Sequence, residues 1–169
     1  MLEIARARQA RCQLHEAARW WDARPAQPGL PWAVLEDLPG WCCWPEPRRA
    51  RLQHLAGALF CGPSLKRWID ARRVDSVRRL LGEGDFDAVL QALPGMPAAP
   101  DLPREEEPVQ AVRRSGACVM AAGSASPVLR EALLLWLLPH GGGFTVAPAV
   151  AGALMQQALH LMLPQEETR

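Results

Sequence analysis

Apolar residues recur along this chain at helical spacing, and alternation with period two never runs beyond about four residues. The pattern predicts an all-α protein: a single compact domain of about seven helices. Residues 2–22 contain no Gly or Pro, and Leu14, Ala17, Ala18 and Trp21 mark an apolar face. Pro25, Pro28, Gly29 and Pro31 end that segment. Residues 32–38 read as a short helix or turn. Residues 39–47 (PGWCCWPEP) read as a rigid loop whose Trp and Cys side chains pack onto the body, with Trp41 and Trp44 the tryptophans expected to stay partly exposed.

An amphipathic helix is predicted over 49–60, where Leu52, Leu55, Ala56, Leu59 and Phe60 share one face. Gly62-Pro63 is expected to stop it, and Pro63 then suits the start of a short helix over 64–69. Val74, Val77, Leu80 and Leu81 form the next apolar face, closed by Gly82 as a C-terminal cap. Asp85 reads as an N-cap for a helix that carries Phe86, Val89, Leu90 and Leu93. Residues 94–108 (PGMPAAPDLPREEEP) read as a mobile, proline-rich acidic loop. A helix over 109–122 follows, weakened by Gly116. Ser126-Pro127 is a strong helix start, and residues 128–138 are apolar nearly all round, as expected of a central buried helix. After the break at 139–143, a last helix over 148–163 places Val150, Leu154, Ala158, Leu161 and Met162 inside. The organisation expected is an N-terminal helix and linker over 1–30 and a helical domain over 31–165.

Composition narrows the function. The chain has 169 residues, a net charge of +1 and 22% charged residues, which argues against a dedicated nucleic-acid binder. The charge is uneven, however. Residues 48–79 hold nine basic side chains against Asp70 and Asp75, a net of +7, and Arg72, Arg73, Arg78 and Arg79 cluster within it. Eighteen of the 19 basic residues are arginine, which fits the codon bias of a GC-rich, bacterial genome. Five cysteines, two of them adjacent, fit reduced cytosolic thiols better than a disulfide framework. The longest apolar run, at residues 132–139, is too short to cross a bilayer, and no apolar leader opens the sequence. A soluble protein is expected.

Candidate chemistry is thin. His140-Gly141-Gly142-Gly143-Phe144 resembles an esterase oxyanion loop, but that role needs a G-x-S-x-G elbow downstream, and the 25 residues after Phe144 contain no Ser. It reads more simply as an interhelical hinge. Cys12 and His15 have ligand-like spacing, with Cys42, Cys43 and Cys61 as partners, yet adjacent cysteines rarely bind one tetrahedral ion and no C-x-x-C pair exists. Gly82-Glu83-Gly84 lacks the third glycine and the strand of a phosphate loop. The four histidines read as surface or capping residues. No cofactor, metal or catalytic residue is expected. The arginine segment admits three readings: a solvated face, a helix–turn–helix with residues 74–81 in a major groove, or docking on an acidic protein surface.

The run LPGW…RLQHLAGALFCGPSLKRWIDARRVDSVRRLLGEGDFDAVL resembles the SctK (YscK/PscK/OrgA-type) family of type III secretion sorting-platform proteins. The likeness rests on Leu55-Ala56-Gly57, Gly62-Pro63, Ile69-Asp70 and Leu81-Gly82-Glu83. It covers residues 31–93 and extends more loosely to 163. It implies a non-enzymatic cytoplasmic adaptor, held near the inner membrane by its partners. Those partners would be the cytoplasmic domain of the membrane-ring protein SctD and the pod protein SctQ, and indirectly the stator SctL and the ATPase SctN. Arg72, Arg73, Arg78, Arg79, Trp41 and Trp44 are the residues expected to meet a partner. The alternative is a small helical nucleic-acid-binding regulator that uses the same arginines.

Overall fold

The longest apolar stripe builds the longest helix. In the computed structural model, which describes residues 30–67, 70–93 and 107–163, α1 is Trp32–Leu35 and a 3-10 turn spans Gly40–Cys43. Then follow α2 (Glu46–Arg67), α3 (Ala71–Leu81), α4 (Glu83–Ala92), α5 (Pro108–Ala122), α6 (Pro127–Leu137) and α7 (Pro148–Leu161). The described residues contain no strand, so the protein is all-α. The helix expected over 2–22, Ile69 at the end of the short helix, and residues 94–106 of the acidic loop lie outside the described residues.

The centre of the bundle is α2 packed along α5, with α3, α4 and α7 around that pair. Leu52, Leu55, Ala56, Leu59 and Phe60 are all buried, as their spacing requires. The helix does not stop at Gly62-Pro63. Pro63 lies inside α2. Ending the helix there would release Leu65, which is buried. Its packing offsets the lost backbone hydrogen bond, a penalty of about 3 kcal/mol in an isolated helix. Gly62 serves packing instead: a Cβ there would run into the Leu93 side chain at the end of α4.

Gly116 also proves to be a contact point. A Cβ at Gly116 would overlap the Gln53 carbonyl oxygen, and one at Gly57 would overlap the Val112 carbonyl oxygen. The two glycines let α2 and α5 cross with their backbones touching. Gln53 Nε2 donates to the Arg113 carbonyl at 2.9 Å and Cys61 Sγ lies 3.5 Å from Ser115 Oγ, which fixes the register on either side of the crossing.

Gly82 caps α3 as expected, with φ +83° and its N–H donating to the Arg78 carbonyl at 2.8 Å. It is also the N-cap of α4, so Asp85 is not the cap; it sits in the first turn of α4. There its carboxylate accepts two hydrogen bonds from Arg51, each 2.8 Å, tying α4 to α2. The α4 N-terminus favours that negative charge. With the Arg51 side chain 46% exposed, the fork contributes about 1 kcal/mol at most. Glu107 and Pro108, expected in the acidic loop, open α5: Glu107 caps it through the Gln110 N–H, and Pro108 is buried. Ser126 caps α6 as read, accepting from the Leu129 N–H at 3.3 Å. However, α6 is not the central helix. Leu129, Ala132 and Leu133 face inward, while Val128 and Leu135 are 54% and 49% exposed. No described helix is long and apolar enough to cross a membrane.

Candidate docking surface

On α3, a rotation of about 100° per residue separates the four candidate arginines. Val74, Val77, Leu80 and Leu81 form the inward stripe, with Val77 fully buried. Arg72 and Arg79 share the opposite, exposed side, two turns apart and so about 10 Å along the axis. Arg73 falls between Leu80 and Val77 on the helix wheel and Arg78 just beyond Val74, and both are half-buried. The four therefore do not form one patch.

Arg78 is engaged within the fold. Its guanidinium lies 3.2 Å from Asp75, 3.7 Å from Glu83 and 4.9 Å from the centre of the Phe86 ring. This contact joins the end of α3 to the start of α4. Arg79 keeps one link, from Nε to the Asp75 carbonyl at 3.3 Å. The Arg72 guanidinium makes no hydrogen bond or ion pair among the described residues, while its N–H donates to the Asp70 cap at 2.9 Å. Asp75, Arg78, Arg79, Gly82 and Glu83 line an open cleft of about 400 Å³.

The rest of the basic segment is also used internally. Arg48 lies over Trp44 at 4.0 Å, and Arg49 lies over Trp136 at 4.6 Å while donating to the Trp44 carbonyl at 3.0 Å. Arg51 is held by Asp85. The side chains of Lys66 and Arg67 lie outside the described ones. The apparent +7 surface thus shrinks to the outer face of α3.

Trp41 is a correction. It is 6% exposed and stacks on Trp136, with ring centroids 6.1 Å apart and planes within 6°. The 3-10 turn is closed by Cys42 N–H to the Pro39 carbonyl and Trp44 N–H to the Trp41 carbonyl, and it points the indole inward. A residue so buried cannot present a docking surface. Trp44 is half-buried, as expected.

The remaining candidates form no reactive constellation among the described residues. Cys42, Cys61 and Cys118 are buried, and no group of three or more His, Cys, Asp or Glu side chains among the described residues gathers as a metal site. His140 is exposed, and Gly141 and Gly142 turn the chain with φ of +75° and +86°. The loop beyond them is anchored, not a bare hinge. The Phe144 N–H donates to Cys118 Sγ at 3.3 Å, and the Phe144 ring packs on Phe60 at 5.4 Å. Burial raises the Cys118 thiol pKa against the opposing pull of that N–H and of Arg114, so the thiol is a poor nucleophile.

His54 is neither a surface nor a capping residue. It is half-buried on α2, and burial, then the nearby Arg113 charge, lowers its pKa below the ordinary 6.5. The folded state therefore holds His54 neutral where the unfolded chain takes up a proton. Its contribution is complete above pH 6.5 and is lost as pH falls from there through the lower, folded value. Thermal melts are expected to show stability falling between pH 7 and pH 5, and a flatter profile for His54→Gln. Equal slopes for the two proteins would remove His54 as the cause.

Sequence reasoning missed the sorting of the arginines. The signal was available: Asp75 stands three residues before Arg78, and Glu83 and Asp85 lie just beyond it. No protein-family model, curated protein or solved structure matches this chain.

Proposed function

We propose that this chain is a non-enzymatic adaptor of a bacterial type III secretion sorting platform. It bridges the cytoplasmic domain of the inner-membrane ring protein SctD and the pod protein SctQ. Through the pod it connects to the stator SctL and the ATPase SctN. It works at the cytoplasmic side of the membrane, held there by its partners.

The resemblance over residues 31–93 motivates the reading, and one observation supports its docking part. Arg72 and Arg79 stand on the exposed side of α3, clear of the ion pairs that occupy Arg51 and Arg78. Two guanidiniums about 10 Å apart on a helix fit a partner helix that carries carboxylates two turns apart. Such contacts steer association and weaken as salt rises.

The test is co-purification and titration of the full chain against the ring domain and the pod protein. Arg72→Glu with Arg79→Glu is expected to weaken binding to one of them by about 10-fold or more, with an unchanged melting curve. Unchanged affinity would overturn the arginine surface, and failure of the wild-type chain to bind either protein would overturn the adaptor. A DNA titration at low salt serves the alternative: binding whose logarithm falls linearly with log salt would favour the nucleic-acid regulator.

A further inference from the structure

One pocket of this bundle joins an apolar lining to a cation that has no ion pair among the described residues. It has a volume of about 350 Å³ and lies between α6 and the loop that leads to α7. Leu134, Leu135 and Leu138, with Phe144 and Val146 of the loop, supply the apolar lining. Arg130 and Glu131, near the start of α6, line it as well. Arg130 and Leu138 stand about 12 Å apart along the helix axis, with Leu134 between them.

Arg130 is half-buried, and its hydrogen bond within the described residues runs from Nη2 to the Ser124 carbonyl at 3.1 Å. That bond joins two residues with unsatisfied atoms. Arg130 Nε and Ser124 Oγ are both buried without a hydrogen-bond partner among the described residues, and Ser124 is only 5% exposed. Buried polar groups are nearly always satisfied, so two such atoms on adjoining residues call for an explanation. Glu131 does not supply it, because its side chain is exposed and forms no bond to Arg130. A half-buried cation beside an apolar pocket attracts an anion, and the lining selects one with a hydrocarbon body.

We propose that this pocket binds a small aliphatic carboxylate, with its carboxylate on Arg130 and its chain along Leu134, Leu135 and Leu138. The volume lies at the lower end of the range for small-molecule pockets, about 300–1,000 Å³, which suits a short acyl chain. It is too small for a partner helix, whose diameter with side chains is about 10–12 Å. The proposal does not depend on the secretion reading.

Octanoate is the probe, titrated into the full chain by calorimetry, with octanol and acetate standing for the chain and the headgroup alone. Octanoate is expected to bind at one site and to raise the melting temperature. Octanol and acetate should each bind about 10-fold more weakly or worse. Arg130→Gln should lower octanoate affinity by about 10-fold and leave octanol binding as it was. Leu135→Glu is the second variant: Leu135 is 49% exposed, so the bundle should keep its melting curve, while the new carboxylate repels the ligand and lowers octanoate affinity by about 10-fold or more. If Arg130→Gln melts early, Leu135→Glu decides. No saturable octanoate binding by the wild type overturns the proposal, and so does octanol binding as tightly as octanoate. Octanoate affinity that survives either substitution in a folded protein places the ligand elsewhere and overturns it too.

Discussion

Gly116→Ala is expected to lower the melting temperature by about 10 °C, although alanine is the better helix former. The two effects oppose each other. Replacing a mid-helix glycine with alanine gains about 1 kcal/mol of intrinsic propensity. At Gly116 the new methyl would overlap the Gln53 carbonyl oxygen, and that atom belongs to a helix backbone that cannot rotate away. The helices must separate, which loosens Leu52, Leu55, Val112 and Val119 at the centre of the core. Overpacking of this kind costs about 1–3 kcal/mol where side chains can yield, and more where they cannot. A net loss of about 3 kcal/mol corresponds to about 6–12 °C at this chain length. Gly57→Ala should behave alike, since its methyl would meet the Val112 carbonyl oxygen. Gly152→Ala in α7 is the internal comparison: nothing lies within 4 Å of a Cβ there, so only the propensity gain remains. Equal melting curves for Gly116→Ala and Gly152→Ala would show that the crossing tolerates separation.

These glycines show where local reading stops. The apolar faces of α2, α4 and α7 were legible because burial follows helical spacing, and Leu52, Phe86, Val89 and Leu154 are all buried. Ser126 and Gly82 were legible because caps are local chemistry. Gly57, Gly62 and Gly116 were not, since each answers to a residue far away in sequence: Val112, Leu93 and Gln53. A Gly-Pro pair looks like a stop unless the burial of Leu65 beyond it is known. The grouping of the arginines was misread for a similar reason. Charge counting saw nine cations in a row of segments, while folding assigned Arg51 to Asp85, Arg78 to Glu83 and Asp75, and Arg48 and Arg49 to indole rings. The apolar run in α6 was misjudged in the other direction. Being apolar all round put it at the centre, whereas two long stripes, on α2 and α5, already fill that place.

Trp41→Ala is expected to cost about 3–5 kcal/mol, the range for emptying a buried tryptophan site, and to lower the melting temperature by about 10 °C or more. Two things are lost together: the packed indole area and the stack on Trp136. The 3-10 turn would keep its backbone hydrogen bonds but lose the anchor that directs it inward. Trp44→Ala, three residues on, should cost only about 1 kcal/mol. That indole is half-buried, and its partner Arg48 is an exposed cation whose stacking energy is small. The contrast decides how a binding experiment is read. If Trp41→Ala melts early and binds partners poorly, the binding loss follows from the fold and says nothing about contact. If Trp44→Ala melts normally and binds poorly, Trp44 belongs to the docking surface. A Trp41→Ala protein that melts like the wild type yet loses a partner would return Trp41 to that surface and contradict the stacked, buried position described above.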